Sequence, residues 1–272
     1  MKYLNLGCGH NFSNNKIWTN LDFVVTGEGV IAHNLLAGVP FEDESFNLVY
    51  HSHVLEHFSR KDGKKFLQEC FRVLAKAGVI RIAIPDLERI AETYLKMLKL
   101  GIANEDDDVI RANYNWMMLE MYDQTVRNYG GGEMAGYLFQ EEIINEDFIY
   151  ERIGEEGKDI RNYYLNQSKD KKPFKRTLNY LFRMAIHRFK SLINNKEKTT
   201  AMQIGQFRLQ GEIHQWMYDR YSLSHLLKEI GFKDCKIQTA FTSYISEWNT
   251  FNLDGKDNNI RKPDSLYIEA IK

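Results

Sequence analysis

The chain has 272 residues, 43% hydrophobic and 27% charged, with a net charge of −1. That length suits one large α/β domain or one domain with an insertion, and the near-neutral balance supplies no field to draw nucleic acid, so no nucleic-acid partner is expected. Cys8, Cys70 and Cys235 lie far apart without CxxC spacing, which argues against a disulfide framework or structural zinc and for reduced thiols in the cytoplasm.

In chain order, Lys2–Leu6 is a short apolar run that breaks into Gly7-Cys8-Gly9, and a second run, Trp18–Asp22, ends on an acid. Val30–Asn34 reads as a third strand, Val39–Ser45 as an acidic loop, and Phe46–Tyr50 as a fourth strand apolar enough to be central. Lys64–Leu74 places Phe66, Leu67, Cys70, Phe71 and Leu74 at the i, i+3, i+4 spacing of one helix face, with Ala77-Gly78 as its stop. Val79–Ile84 is a fifth strand halted by Pro85, and a helix follows that carries Leu87, Ile90, Ala91, Tyr94, Leu95 and Leu98. Strands alternating with helices predict a parallel sheet with helices on both faces.

From about Gly101 to Gln210 the pattern turns helical, around Ile110–Tyr129 and Lys175–Leu192, with Gly130-Gly131-Gly132 as a hinge or tight turn. Asp123 and Arg127 sit four apart on a helix and read as an ordinary surface pair, with reach into the pocket as the alternative. Ser222–Ile230 is a helix with Ser222 as its N-cap and Gly231 as its stop. Phe232–Phe241 and Ser265–Ile271 are strands with no helix between them, so they should pair antiparallel. No apolar run approaches the ~20 residues that span a bilayer, and the chain opens directly in a strand, so no export leader is expected.

Strand, glycine turn, strand and acid is the order of an adenosine-cofactor site at the carboxyl edge of a sheet. Glycine leaves no Cβ between backbone and ligand, and an acid at the end of the second strand accepts from ribose hydroxyls. A lone GxG is also a common turn, so the later segments decide the reading. Leu4–Gly9, Asn20-Leu21-Asp22, Val39–Val49, His53-Val54-Leu55-Glu56-His57, Phe71–Leu74 with Gly78, His214–Tyr218 with Gly231-Phe232, and Arg261–Leu266 occur in that order. In this order they resemble the class I S-adenosylmethionine-dependent methyltransferases, type 11-like small-molecule branch, often associated with polysaccharide biosynthesis. The resemblance covers residues 1–100 and 211–272 and is thin over 101–210.

It implies an α/β, Rossmann-like doubly wound seven-stranded sheet with the last strand antiparallel, plus a helical insertion. Residues 1–100 and 211–272 would form the cofactor-binding core, and 101–210 a helical cap shaping the acceptor pocket. S-adenosyl-L-methionine would be the cofactor, with Asn5, Gly7, Cys8, Gly9, Asp22, Asn34, Leu35, His51 and Ser52 around it. The sequence departs from the family at Asn5, Asn34 and Asn47, where acids are usual, and at Asn11, where a third glycine is usual. Amides hydrogen-bond but supply no charge.

Methyl transfer is an in-line displacement that needs a base only where the acceptor must lose a proton. His57, His53 and His214 are the candidate catalytic residues, each set against a packing role. His53 and His57 also have a metal-ligand spacing, but further ligands are missing, so no metal is expected. The basic, aromatic-interleaved stretch 169–190 reads as a solvated helix face, or as a peripheral surface for anionic lipid or a phosphate-bearing acceptor.

The expected reaction is methylation of a small polar acceptor, a hydroxyl of a sugar or glycan precursor. No Asn/Asp-Pro-Pro-Tyr/Phe signature is present, which favours oxygen. The rivals are a nicotinamide-dependent oxidoreductase, disfavoured because Asp22 follows Gly7 by fifteen positions (22 − 7) rather than ~20, and a catalytically degenerate cofactor-binding module. Oligomeric state is not legible.

Overall fold

A computed structural model describes residues 1–169 and 201–272. The predicted helix Lys175–Leu192 and the basic stretch beyond Lys169 lie outside the described residues. The chain forms two compact units, Met1–Arg89 with Gln215–Lys272, and Ile90–His214.

The first unit is built on a seven-stranded sheet. Strands β1 (Tyr3–Leu6), β2 (Trp18–Asp22), β3 (Val30–Ala32), β4 (Phe46–Ser52) and β5 (Leu74–Pro85) run parallel. A minor hairpin, β7 (Gly255–Lys256) and β8 (Asn259–Ile260), interrupts the loop between β6 (Lys233–Gln238) and β9 (Ser265–Ile271). The sheet order is β3-β2-β1-β4-β5-β9-β6. Strand β9 runs antiparallel to both β5 and β6, so this is the Rossmann-like sheet with its last strand reversed.

Alternation along the central strands separates two cores. Leu4, Leu6, Val49, Ile80, Ile82 and Ile268 face helices α1 (Arg60–Val73) and α7 (Arg220–Ile230). Tyr3, Leu48, Tyr50 and Val79 face the other way, onto Trp18, Trp248 and Leu253. Within this unit, that second face is covered by an aromatic loop from the far end of the chain, where helices were expected. The reason is local. The β1–β2 connection contains Asn11, Ser13, Asn14 and Asn15, whose side chains compete with helical backbone bonds. Asn11 Nδ2 donates to Leu253 O at 2.7 Å, and Asn20 Nδ2 to Ser13 O at 3.1 Å. The segment therefore folds as a strapped loop.

Element ends also differ from the sequence reading. Helix α1 starts a turn early, capped by Ser59, whose Oγ accepts from Asp62 N at 3.1 Å. It stops at Val73 because the chain enters β5 there. Gly78 is therefore a strand residue, where a Cβ would stand 2.8 Å from Ala75 O. Helix α7 is capped by Asp219, and Ser222 is the reciprocal third residue of a capping box, not the N-cap. Arg72 explains the acidic loop: its guanidinium donates to Val39 O, Phe41 O and Asp43 Oδ1, each at 2.8 Å.

The second unit contains α2 (Leu87–Ala103) beyond its first turn, α3 (Asp108–Val126), α4 (Gly132–Leu138), α5 (Glu146–Lys169, bent at Gly154) and α6 (Ala201–Leu209). Tyr94 of α2 packs on Tyr114 of α3, 5.9 Å between ring centroids. This is why α2 groups with the insertion and not with the sheet. Asp123 is buried and Arg127 half-buried, so the two are not an exposed surface pair. Asp123 Oδ1 accepts from Glu133 N at 2.8 Å, capping α4, and its carboxylate also holds Arg127. Gly131 and Gly132 have left-handed φ of 77° and 55°, and a Cβ at Gly132 would collide with that carboxylate. The triple glycine is a tight turn. Among the described residues, no helix is long and apolar enough to cross a membrane.

Candidate functional site

The parallel strands deliver Gly7, Asp22, His33 and Ser52 to one edge of the sheet, the carboxyl edge where open α/β sheets hold ligands. The chain leaves β1 through Gly7 and Gly9, both left-handed at φ 65° and 53°. The two glycines serve different ends. A Cβ at Gly7 would collide with Val54 Cγ2, so this position is needed for packing against the turn after β4. Among the described residues, a Cβ at Gly9 would meet nothing within 4 Å. Its bare backbone faces open space, a cradle that a side chain would fill.

Asp22 stands beside that cradle. Its Oδ2 accepts from Gly9 N at 2.7 Å, and Cys8 N donates to Leu21 O at 3.0 Å. A carboxylate offers about four lone-pair directions, so Asp22 retains acceptor capacity for a diol. Thr26 Oγ1 donates to Gly9 O, and Phe12 packs over Gly27. Phe23, Val25 and Leu36 are exposed apolar side chains along this edge. None of the three was singled out from the sequence. For Phe23 and Val25 the signal was the apolar run Phe23-Val24-Val25 directly after the acid, which a polar turn would not carry.

Other predicted cofactor residues are placed differently. Asn5 is buried and its Nδ2 donates to Asn11 O at 3.3 Å. It shapes the loop instead of facing the cradle. Cys8 is buried, and burial pushes its thiol up to about 12, so it stays protonated. Asn34 Oδ1 accepts from Leu36 N at 3.0 Å, capping a 3-10 turn over Leu35–Ala37, while its amide group remains exposed. Leu35 packs partly against the first core. Alternation turns His51 into that core, 5.1 Å from the Phe66 ring, with no hydrogen-bond partner at either nitrogen among the described residues. Burial lowers it to about 3, which makes it a neutral core residue. Ser52 ends β4, half-buried, paired with Ala83 of β5.

The histidines divide likewise. His53 has a left-handed φ of 54°, and its N–H still bonds Ala83 O at 2.8 Å, extending the β4–β5 ladder by one residue. Its Nε2 lies 2.8 Å from Ser265 Oγ and its Nδ1 3.3 Å from Glu56 Oε1. Glu56 is fully buried, and burial raises its carboxyl above the usual range. Both residues belong to the turn that packs on Gly7. His57 is half-buried in a 3-10 turn over Leu55–His57, and Gln215 clamps that turn: its N–H donates to Glu56 O at 2.8 Å and its Nε2 to His57 O at 2.9 Å. His214 is buried in the second unit, its N–H donating to Gln124 O at 2.9 Å. A groove of about 600 Å³ lined by Lys2, Thr19, Phe41, Glu42 and Phe46 lies at the opposite, amino edge of the sheet, away from this chemistry.

Comparison with known proteins gives one family match and a set of distant structural neighbours. The family described as "Methyltransferase domain" matches residues 24–82. No curated protein matches the sequence. Among solved structures, an S-adenosylmethionine-dependent methyltransferase from Archaeoglobus fulgidus is similar at 13% identity, covering 100% of this chain and 86% of that one, with a TM-score of 0.36. A Thermotoga maritima S-adenosylmethionine-dependent methyltransferase, titled a possible histamine N-methyltransferase, is similar at 12% identity over 100% and 82%, with a TM-score of 0.37. Against YcgJ of Bacillus subtilis the match has 18% identity, covers 35% of this chain and 51% of that one, and has a TM-score of 0.26. The chain spans about half or less of several such neighbours. The domain match covers residues 24–82 alone, and the strand order is that of a Rossmann-like sheet with its last strand antiparallel.

Proposed function

We propose that the protein transfers the methyl group of S-adenosylmethionine to a hydroxyl of a sugar or glycan precursor, in the cytoplasm and within polysaccharide biosynthesis. The observation that carries the cofactor half is the open backbone at Gly9 beside the Asp22 carboxylate. In this reading Gly9 gives the methionine moiety close backbone approach while Gly7 seats the turn on Val54, Asp22 accepts from the ribose hydroxyls, and Phe23 and Leu36 offer apolar cover to the adenine. The exposed amide of Asn34 is free to donate to the adenine edge. The bound cofactor supplies an electrophilic methyl on a positively charged sulfur, and the chain's own task is alignment and water exclusion. The acceptor half is favoured by the family resemblance and by a histidine–carboxylate pair at the end of β4. The second unit, with residues 101–210 at its heart, is the candidate acceptor cap, and no nucleic acid enters the reading.

One observation favours a second reading, a cofactor-binding module without turnover: Asn5 and His51 both turn away from the cradle. Titration calorimetry with S-adenosylhomocysteine, run beside NADH, separates the readings. Micromolar binding of the former alone is expected, with Asp22→Ala weakening it at least tenfold. Binding of NADH alone overturns the methyltransferase reading. Binding of S-adenosylhomocysteine with no transfer to any glycoside of a broad panel supports the module.

A further inference from the structure

We propose that Ser265, His53 and Glu56 form a proton relay that takes the proton from the acceptor hydroxyl during methyl transfer, with Glu56 as the positioning residue. This rests on the reading of the acceptor as a hydroxyl. The three residues come from three places in the chain: the end of β4, the turn after it, and the start of β9. They meet only because β9 lies beside β5 and opens at the carboxyl edge of the sheet, where Ser265 pairs with Pro85. His53 reaches over the end of β5, with Ser265 Oγ 2.8 Å from Nε2 and Glu56 Oε1 3.3 Å from Nδ1. The turn that carries His53 and Glu56 is pressed onto Gly7 through Val54, which puts the relay against the cofactor turn.

The chemistry follows from the donors and acceptors. A neutral imidazole donates from one nitrogen and accepts at the other. Glu56, an acceptor when ionised, selects Nδ1–H, leaving the Nε2 lone pair for the Ser265 hydroxyl proton. Ser265 Oγ, donating to Nε2, keeps its own lone pairs for a hydroxyl proton arriving from the acceptor. As the acceptor oxygen forms its bond to the methyl carbon, the sulfur–carbon bond breaks and sulfur keeps that electron pair. The acceptor proton passes to Ser265 Oγ while the serine proton passes to His53 Nε2. The product side is a methyl ether, a neutral thioether and an imidazolium whose Nδ1 lies 3.3 Å from Glu56 Oε1, within ion-pair distance. The side chains are 13%, 1% and, for the Ser265 residue, 8% exposed, so bulk water does not supply the proton path. Burial raises the Glu56 carboxyl, and His57 and Lys262 bring positive charge toward it. The phenol of Tyr218 also feels Glu56.

The test is a long-range 1H–15N spectrum of the imidazoles of the full-length protein saturated with S-adenosylhomocysteine, between pH 5 and 9. His53 is assigned by its loss in His53→Asn, a residue that tolerates the left-handed backbone. The expected result is a protonated Nδ1 and a bare, hydrogen-bonded Nε2. Glu56→Gln should lower the His53 midpoint by roughly one pH unit, and Ser265→Ala should move the Nε2 resonance while Nδ1–H persists. Methyl transfer to methyl hexopyranosides should then lose kcat at least tenfold in Ser265→Ala with KM for S-adenosylmethionine within twofold. A proton found on Nε2, a midpoint unmoved by Glu56→Gln, or a kcat unmoved by Ser265→Ala overturns the relay. The methyltransferase reading fails separately, on absent S-adenosylhomocysteine binding, because the tautomer is also readable in the free protein.

Discussion

Gly7 and Gly9 share a backbone conformation and differ in what surrounds them, so substitution at each reports a different property. Gly9→Ala adds a methyl into open space and costs only the left-handed strain, about 1–2 kcal/mol. We expect it to lower S-adenosylhomocysteine affinity at least tenfold in calorimetry with a small fall in Tm. Gly7→Ala forces Val54 aside and adds an overpacking cost of roughly 1–3 kcal/mol, so its main readout is Tm. Equal effects of the two on affinity and Tm would remove the distinction between cradle and packing position. His51 carries a second prediction at this scale. Its folded pKa of about 3 lies below the ordinary 6.5, so between those values the unfolded chain binds a proton that the folded chain refuses. Stability therefore falls as pH drops from about 6.5 toward 3, by about 1.4 kcal/mol per pH unit from this one group. Glu56, whose pKa is raised, acts in the opposite sense. The share of His51 is thus the difference between wild type and His51→Phe in urea unfolding at several pH values, and parallel curves would refute it.

Elements were legible from sequence where apolar spacing dominates and illegible where side chains bond to backbone. The runs Tyr3–Leu6, Phe46–Tyr50 and Val79–Ile84 announce a buried sheet because both faces are apolar. By contrast, the loop after Gly9 depends on which carbonyls Asn11 and Asn20 find, and Asn11 finds its partner 242 positions away. The meeting of His53 with Ser265 likewise spans 212 positions, and the strand order is what brings them together. The same limit hid Arg81. On the strand pattern it is one polar residue among isoleucines. In the fold it is fully buried, with Nε 2.7 Å from Asp254 Oδ2, Nη1 2.8 Å from Glu269 Oε1, and Trp248 stacked 4.4 Å from its guanidinium. Tyr50 Oη donates to Asp254 Oδ1 at 2.6 Å. Breaking such a pair strands buried carboxylates and costs roughly 3–5 kcal/mol. Arg81→Met should therefore lower unfolding free energy by that order in a denaturant titration and expose the 239–254 loop to protease. Arg72→Ala, at a partly exposed clamp, should cost far less.

The division of the molecule into two units has a direct test. Leu87 N donates to Tyr218 O at 3.1 Å, so the two crossings between the units, at 89/90 and 214/215, leave chain ends close together on the first unit. Replacing residues 90–214 by a short glycine-serine linker should leave a cooperatively folding protein, read by circular dichroism and a single thermal transition. Retained S-adenosylhomocysteine binding would place the cofactor site wholly on the sheet unit, and a folded but non-binding product would assign part of it to the helical unit. Either unit alone hides this from sequence, because helix α2 begins on one and packs in the other.

The aromatic loop that closes the second face of the sheet comes from positions 245–253, while most of the face it covers is made by residues 3–79. During synthesis the first four strands leave the ribosome long before their lid exists. Until residues 245–253 emerge, Tyr3, Trp18, Leu48 and Tyr50 present one bare apolar wall. The nascent protein is therefore a natural client for a chaperone that shields aromatic surface, and a message truncated before position 245 yields an aggregating product rather than a smaller enzyme.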